Sequence, residues 1–331
     1  MAYTTIDNPE LYFQVKTYTG NGSTQTITFD NTDADLDADM IWLKSRSDAY
    51  SHQLFDTVRG ATKLLNPEAT DAEQTLSGIT AFGTDSFNIG SDAGTNGSSK
   101  TYVAWCWKES ATAGFDMVTY TGNGSGRTIS HSLSAVPHCY IVKERSPNNE
   151  HWFVYHQSSG NLGGTLLSTT GAFVDNVGYF NDTSPTSSVF SVGDGGGINT
   201  SSSTYIAYLF SEKQGYSKFG SYIGNGNANG TFVYTGFRPA FVMLKNTTDA
   251  RNWIIVDNKR LGYNTITSAL YPDNNDAEAS ASGDPVMDFT AQGFKLRDTS
   301  DHWNESGDTF IYMAIAESSF VNSSGVPNNA R

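Results

Sequence analysis

The residues with the greatest chemical promise fall into four sets. The first is the stretch Asp30-Asn31-Thr32-Asp33-Ala34-Asp35-Leu36-Asp37-Ala38-Asp39, whose alternating carboxylates resemble the front half of a calcium loop. Such a loop needs glycine where Ala38 stands and a bidentate glutamate where Lys44 stands. Both are missing, so the stretch reads as a solvated acidic loop ahead of a strand, and no metal or other cofactor is expected. The second set is Trp152 beside His151 and Trp253 beside Asn252. An aromatic ring next to an imidazole or amide can stack on a sugar and bond its hydroxyls. This makes Trp152, Trp253, His151 and Asn252 candidate contacts for a surface glycan, against the plainer reading that both indoles fill a core. In the equivalent place, the first third of the chain offers Gln53.

The third set is a recurring pair of charges. Lys44, Lys143 and Lys245 each end an apolar strand, and Glu109, Glu212 and Glu317 each end a longer one. Repeated charges of opposite sign predict structural ion pairs rather than three active sites. Paired carboxylates could serve a glycosidase, yet no acidic residue is set apart by an apolar surround. The histidines (His52, His131, His138, His151, His156, His302) form no H-E-x-x-H, and no G-x-S-x-G is present. No catalytic activity is expected. The fourth set is Cys106 and Cys139, which lack the spacing of a metal site and read as buried thiols, with a disulfide as the minor alternative.

The elements that must position these residues recur. Tyr-x-Gly-Asn-Gly occurs with its tyrosine at Tyr18, Tyr120 and Tyr222, 102 residues apart both times. About twenty residues after each turn comes Ile41-Trp42-Leu43-Lys44, Tyr140-Ile141-Val142-Lys143 or Val242-Met243-Leu244-Lys245. A second apolar strand follows each, then Phe87-Asn88-Ile89, Phe190-Ser191-Val192 or Phe294-Lys295-Leu296, then a closing strand from Thr101, Thr204 or Thr309. This pattern predicts three units at residues 15–113, 114–215 and 216–317, with a leader at 1–14 and a tail at 318–331.

Short runs rich in Val, Ile, Tyr, Phe, Trp and Thr, separated by Asn-Gly turns, predict an all-β chain of antiparallel sandwich or jelly-roll units. At about 100 residues each, the units could be beads or fused sandwiches. One or two helical turns are expected only in Leu64–Leu76. The closing strands, such as Tyr102-Val103-Ala104-Trp105-Cys106-Trp107, are apolar on both alternating faces. They are therefore expected to be central, with a second sheet covering the face that their own unit leaves bare. That sheet could come from the same unit or from a neighbouring subunit.

Composition narrows the partners. With 34 acidic and 20 basic residues the net charge is −14, which disfavours a nucleic-acid backbone. No run of 18 apolar residues exists to span a membrane. Met1 to Glu10 hold neither a basic n-region nor an apolar h-region, which predicts no secretory signal. The Asn-x-Ser/Thr sequons mostly coincide with turn chemistry. Thin β-units with a polar surface and no secretion signal point to a virion.

The opening Ala2-Tyr3-Thr4-Thr5-Ile6-Asp7-Asn8-Pro9, then Tyr12-Phe13-Gln14 and Tyr18-Thr19-Gly20-Asn21-Gly22, resembles the start of a family of proteins encoded by marine bacteriophages. Ser319-Phe320-Val321, Gly325-Val326-Pro327 and Ala330-Arg331 are similar to how those proteins end. The resemblance covers nearly the full chain and rests on turn and strand residues, so it carries over no site. It implies a virion structural or tail-fibre-like protein that works with other virion proteins, a homo-oligomer (a trimer by analogy with phage fibres), and attachment to a host surface glycan. A capsid decoration protein is the alternative, and a polysaccharide-degrading tailspike a further one.

Overall fold

The computed structural model describes residues 3–29, 36–260, 264, 266–280 and 286–327. The fold is all-β. Three parts of the chain each build an antiparallel sheet with the same strand order. The first sheet runs Phe13–Thr19, Thr101–Trp107, Met40–Ser45, Gln53–Asp56. The third runs Ser217–Ile223, Thr309–Ser319, Phe237–Asn246, Ile254–Asp257. The second runs Phe115–Thr121, Thr204–Phe210, Cys139–Glu144, Trp152–His156, and continues into Gly160–Leu166 and Val174–Asp175. Registers correspond as well, with Tyr18 opposite Tyr102, Tyr120 opposite Tyr205 and Tyr222 opposite Phe310. A smaller sheet lies over one face of each, built on the pairs Gln25–Thr28 with Ser86–Ile89, Arg127–Ser130 with Val189–Val192, and Phe232–Tyr234 with Gly293–Leu296.

The closing strands are central in their sheets, as their two apolar faces predict. One face of each packs into its own sandwich: Tyr102, Ala104 and Cys106 in the first, Tyr205, Ala207 and Leu209 in the second, Phe310, Tyr312 and Ala314 in the third. The opposite face of all three enters one common core. Val103, Trp105 and Trp107 meet Ile206, Tyr208 and Phe210, together with Ile311, Met313 and Ile315. The cover for the second face is thus supplied by the other two sheets of the same chain, and no partner subunit is needed for it. At about 1.5–3 kcal/mol for each large apolar side chain fully buried, this shared core is a principal source of cohesion. Its centre keeps one apolar gap of about 20 Å³, bordered by Trp42, Trp107, Trp152, Phe241 and Met313. Lined by apolar side chains that offer a water no polar partner, the gap stays dry.

The leader belongs to this body. Ile6 is buried in the common core, the Phe13 and Phe241 rings lie 5.7 Å apart, and Ser323 N–H donates to Asp7 at 2.6 Å. The expected helical turns at Leu64–Leu76 do not form. Lys63–Leu64 and Gln74–Thr75 pair as a two-stranded ribbon instead, because Leu64 and Leu65 are drawn into separate cores while the backbone of Leu65 bridges Leu54. Short helices occur at Ala93–Asn96 and Val177–Phe180, each capped by an Asp or Asn side chain.

The recurring turn is held by a buried asparagine three-quarters of a unit away. Asn96 accepts from Asn21 N–H at 2.9 Å and donates to the Ser23 and Gly90 carbonyls. Asn199 and Asn304 do the same for Asn123 and Asn225. The motif tyrosines reach the same loops, Tyr18 donating to Thr95 O, Tyr120 to Ile198 O and Tyr222 to Trp303 O. Gly22, Gly124 and Gly226 adopt positive φ at the turn, which explains why each motif ends on glycine.

Candidate functional site

The chemistry-bearing residues collect at the three seams between sheets. The second sheet leans on the loop of the first. Trp152 Nε1–H donates to Asn66 O at 3.0 Å, and Lys143 Nζ donates to Thr70 O at 2.9 Å. The third leans on the second in the same way, with Trp253 Nε1–H on Leu166 O at 2.9 Å and Lys245 Nζ on Thr170 O at 3.0 Å. The first closes the ring on the third through His52, whose Nε2 lies 3.0 Å from Tyr271 O. Trp42 Nε1–H donates to His52 Nδ1, so the ring carries its proton on Nε2 and donates to that carbonyl. Burial holds its pKa well below the usual value. Backbone bonds repeat the cycle: Glu73 N–H to Arg145 O, Phe173 N–H to Thr247 O, Glu278 N–H to Arg46 O.

These contacts correct three expectations. Trp152 and Trp253 are no surface for a glycan: they are 0% and 2% exposed, inside the common core, with their N–H groups consumed. The residue that stands in their place in the first sheet is His52, one position earlier than Gln53. Gln53 instead pairs with Leu43, as Phe153 pairs with Val142 and Ile254 with Leu244. His151 and Asn252 sit half-buried at the seam, where His151 Nδ1 lies 2.9 Å from Ser168 Oγ and Asn252 donates to Asp273 at 2.8 Å.

The predicted lysine–glutamate pairs also do not form. Antiparallel pairing sets Lys44 opposite Val103 and Met40 opposite Trp107. The lysine and the following glutamate therefore lie at opposite ends of the sheet, roughly 14 Å apart or more at the rise of a strand. Each lysine ammonium is buried and bonded to carbonyls: Lys44 to Ser45 O, Lys143 to Glu150 O, Lys245 to Arg251 O. Burial pushes all three down to about 8. Glu212 pairs with Lys218 at 2.7 Å and Glu317 with Arg238 at 2.6 Å. Glu109 faces Asp116 and accepts from Met117 N–H at 3.1 Å; burial, then its bond to Asp116, pushes it up to about 7.

The cysteines are free and occupy different layers, Cys106 in the first sandwich and Cys139 in the common core, with burial raising both thiols. Of the acidic stretch, Asp30, Asp33 and Asp35 lie outside the described residues. Asp37 pairs with Lys108, and Asp39 accepts from Glu109 N–H and Thr57. Among the described residues, no group of three or more metal-ligating side chains forms.

Sequence reasoning missed the strongest polar feature. Asp56 is fully buried, bonds Arg59 Nε at 2.5 Å, and accepts from the Tyr208 hydroxyl of the second sheet at 2.7 Å. Arg59 reaches Glu73, which Arg145 of the second sheet holds at 2.8 Å. The same chain of groups links the first and third sheets: Trp105 Nε1–H to Asp257 at 3.0 Å, Asp257 to Arg260 at 2.6 Å, Arg260 to Glu278 at 3.1 Å, Glu278 to Arg46 at 2.7 Å. At the remaining seam His156 replaces the aspartate, its Nε2 3.1 Å from Tyr312 O, and burial pushes it down to about 4. The signal was present as Asp56-x-x-Arg59 and Asp257-x-x-Arg260, at matching places before a turn.

Residues 8–319 match the family model of a domain of unknown function, DUF7483. The chain belongs to the DUF7483 family. No curated protein matches it. In this DUF7483 chain the matched span takes in all three sheets, together with every seam contact described above.

Proposed function

We propose that this DUF7483 chain is a non-enzymatic structural component of a bacteriophage particle, an appendage at the tail that mediates attachment to the host surface. The observation that carries the reading is the fate of the recurring reactive side chains. Tryptophan, lysine, aspartate and arginine that could have formed a site are used up, in cyclic order, as bonds between sheets. Buried charges held this way favour one geometry and a stiff body, which suits a part exposed to mechanical and chemical stress outside a cell. The resemblance of the two chain ends to marine phage proteins supplies the setting.

Immunogold imaging of purified particles tests the proposal, with blocking of adsorption by the free protein as the second arm. Label at the tail tip and reduced adsorption are expected. Protein abundant in infected cells but absent from purified particles would overturn it, and label spread over the head would replace it with the decoration reading.

A further inference from the structure

The three small outer sheets share a register but not a surface. Ile27, Ile129 and Val233 point inward, each opposite a buried phenylalanine: Phe87, Phe190 and Phe294. Their outward neighbours are Thr26 and Thr28 in the first sheet, and Thr128 and Ser130 in the second. In the third they are Phe232 and Tyr234, 47% and 55% exposed. The same fold is thus built twice with small hydroxyl residues, so the two rings are not required for folding.

Around the rings lies a set of polar groups. Lys295 is directly across from Phe232, and Asp288 is across from Lys295. Asp288 is held by Arg297 at 3.2 Å, and among the described residues the Lys295 ammonium has no carboxylate at ion-pair distance. Across from Tyr234 is Gly293, where an added Cβ would come within 1.9 Å of Val233 O, so the floor beside that ring carries no side chain. The leader closes the end of the row. The Tyr3 hydroxyl donates to Gly236 O at 2.8 Å, and both it and the Tyr234 hydroxyl flank Gly236.

We propose that the outer face of Phe232–Tyr234, Gly293–Leu296 and Met287–Thr290 binds an acidic polysaccharide, its sugar faces on Phe232 and Tyr234 and a carboxylate on Lys295. The two rings are spaced by about 7 Å along one side of a strand, a fixed pitch for stacking. Among the described residues Lys295 is a local positive charge without an ion-pair partner, placed to hold a uronate against the repulsion of a chain of net charge −14. The size of the face argues against a protein partner. Three strands of three or four residues span roughly 14 by 10 Å, far below the ~800 Å² per side of a stable protein interface. Lys295 and Asp288 stand in the row beside Phe232, whereas the centre of a protein interface is depleted of charged residues. This assignment names the ligand of the attachment reading and rests on it for its biological setting.

The test is affinity electrophoresis and calorimetry of the full chain with alginate, polygalacturonate and hyaluronan, using dextran as the neutral comparison. Retention by at least one acidic polymer is expected. Phe232→Thr with Tyr234→Ser restores residues that the other sheets already carry. This double variant should keep its melting temperature and lose about 10-fold or more in affinity. Lys295→Gln should weaken acidic binding and flatten its salt dependence. No retention by any of the three acidic polymers, or equal binding by the double variant, overturns the assignment. So does a self-association that the double variant abolishes. Protein located at the tail tip but blind to all three polymers would remove this ligand and leave the attachment reading standing.

Discussion

Removing one hydroxyl should weaken the whole molecule. The Tyr208 hydroxyl of the second sheet donates to Asp56 of the first at 2.7 Å, with both side chains buried. Tyr208→Phe keeps the ring and deletes only that donor, while Asp56 retains Arg59 through its Nε and its backbone N–H. A hydrogen bond to a charged group is worth about 1.5–3 kcal/mol. With an m value of about 3 kcal/mol/M for urea, the midpoint should fall by roughly 0.5–1 M. Asp56→Asn leaves the Arg59 guanidinium buried without its counter-charge and should cost about 3–5 kcal/mol. The two changes should be non-additive by about 1–2 kcal/mol, since they remove the same bond. Urea titration followed by tryptophan fluorescence, with all four members of the cycle, reads this directly. A Tyr208→Phe loss below about 0.5 kcal/mol, or simple additivity, would refute the claim that this bond ties the first two sheets together.

Further outcomes follow from the same geometry. Trp152→Phe removes the donor to Asn66 O and opens a void, so it should lower stability by about 2–4 kcal/mol; retention by acidic glycans should be unchanged, checked by melting and affinity electrophoresis. Asn199→Ala strips the partners from Asn123 N–H and the Ser125 and Gly193 carbonyls, for a loss of about 2–4 kcal/mol measurable by calorimetry. Glu109 binds its proton more tightly in the folded chain, at about 7, so its contribution is present below its unfolded pKa and lost as pH rises towards 7. Glu109→Gln should therefore gain on the native chain by about 1 kcal/mol between pH 5 and pH 7.5, and parallel melting curves would contradict this. Cys106 and Cys139 should react with a thiol reagent only after unfolding, at two thiols per chain.

Local chemistry was legible in the sequence wherever a residue's role is set by its own strand or turn. The Asn-Gly turns, the strands and the doubly apolar closing strands could all be read, because turn sterics and side-chain alternation act over a few residues. Relations between strands were not. The lysine and glutamate that end successive strands look adjacent in a list, but antiparallel pairing sends them to opposite ends of the sheet. Whether Trp152 faces water or a core depends on a second sheet about a hundred residues away, and no local pattern states that. Pro67 and the acidic residues after it suggest a helical turn or two in Leu64–Leu76, yet Leu64 and Leu65 are claimed by two cores. Asp56-x-x-Arg59 was visible, but without the Tyr208 hydroxyl a short acid–base spacing looks like an ordinary surface pair. The exposed Phe232 and Tyr234 could have been found by comparing the three outer strands position by position, where hydroxyl residues give way to rings.

Differential scanning calorimetry of the intact chain, with residues 114–215 expressed alone as the companion sample, tests the shared core most directly. A core built from all three sheets predicts one transition, with calorimetric and van't Hoff enthalpies in agreement, and an isolated middle segment that does not fold. Three separable transitions, or a middle segment that melts cooperatively by itself near the temperature of the full chain, would contradict it.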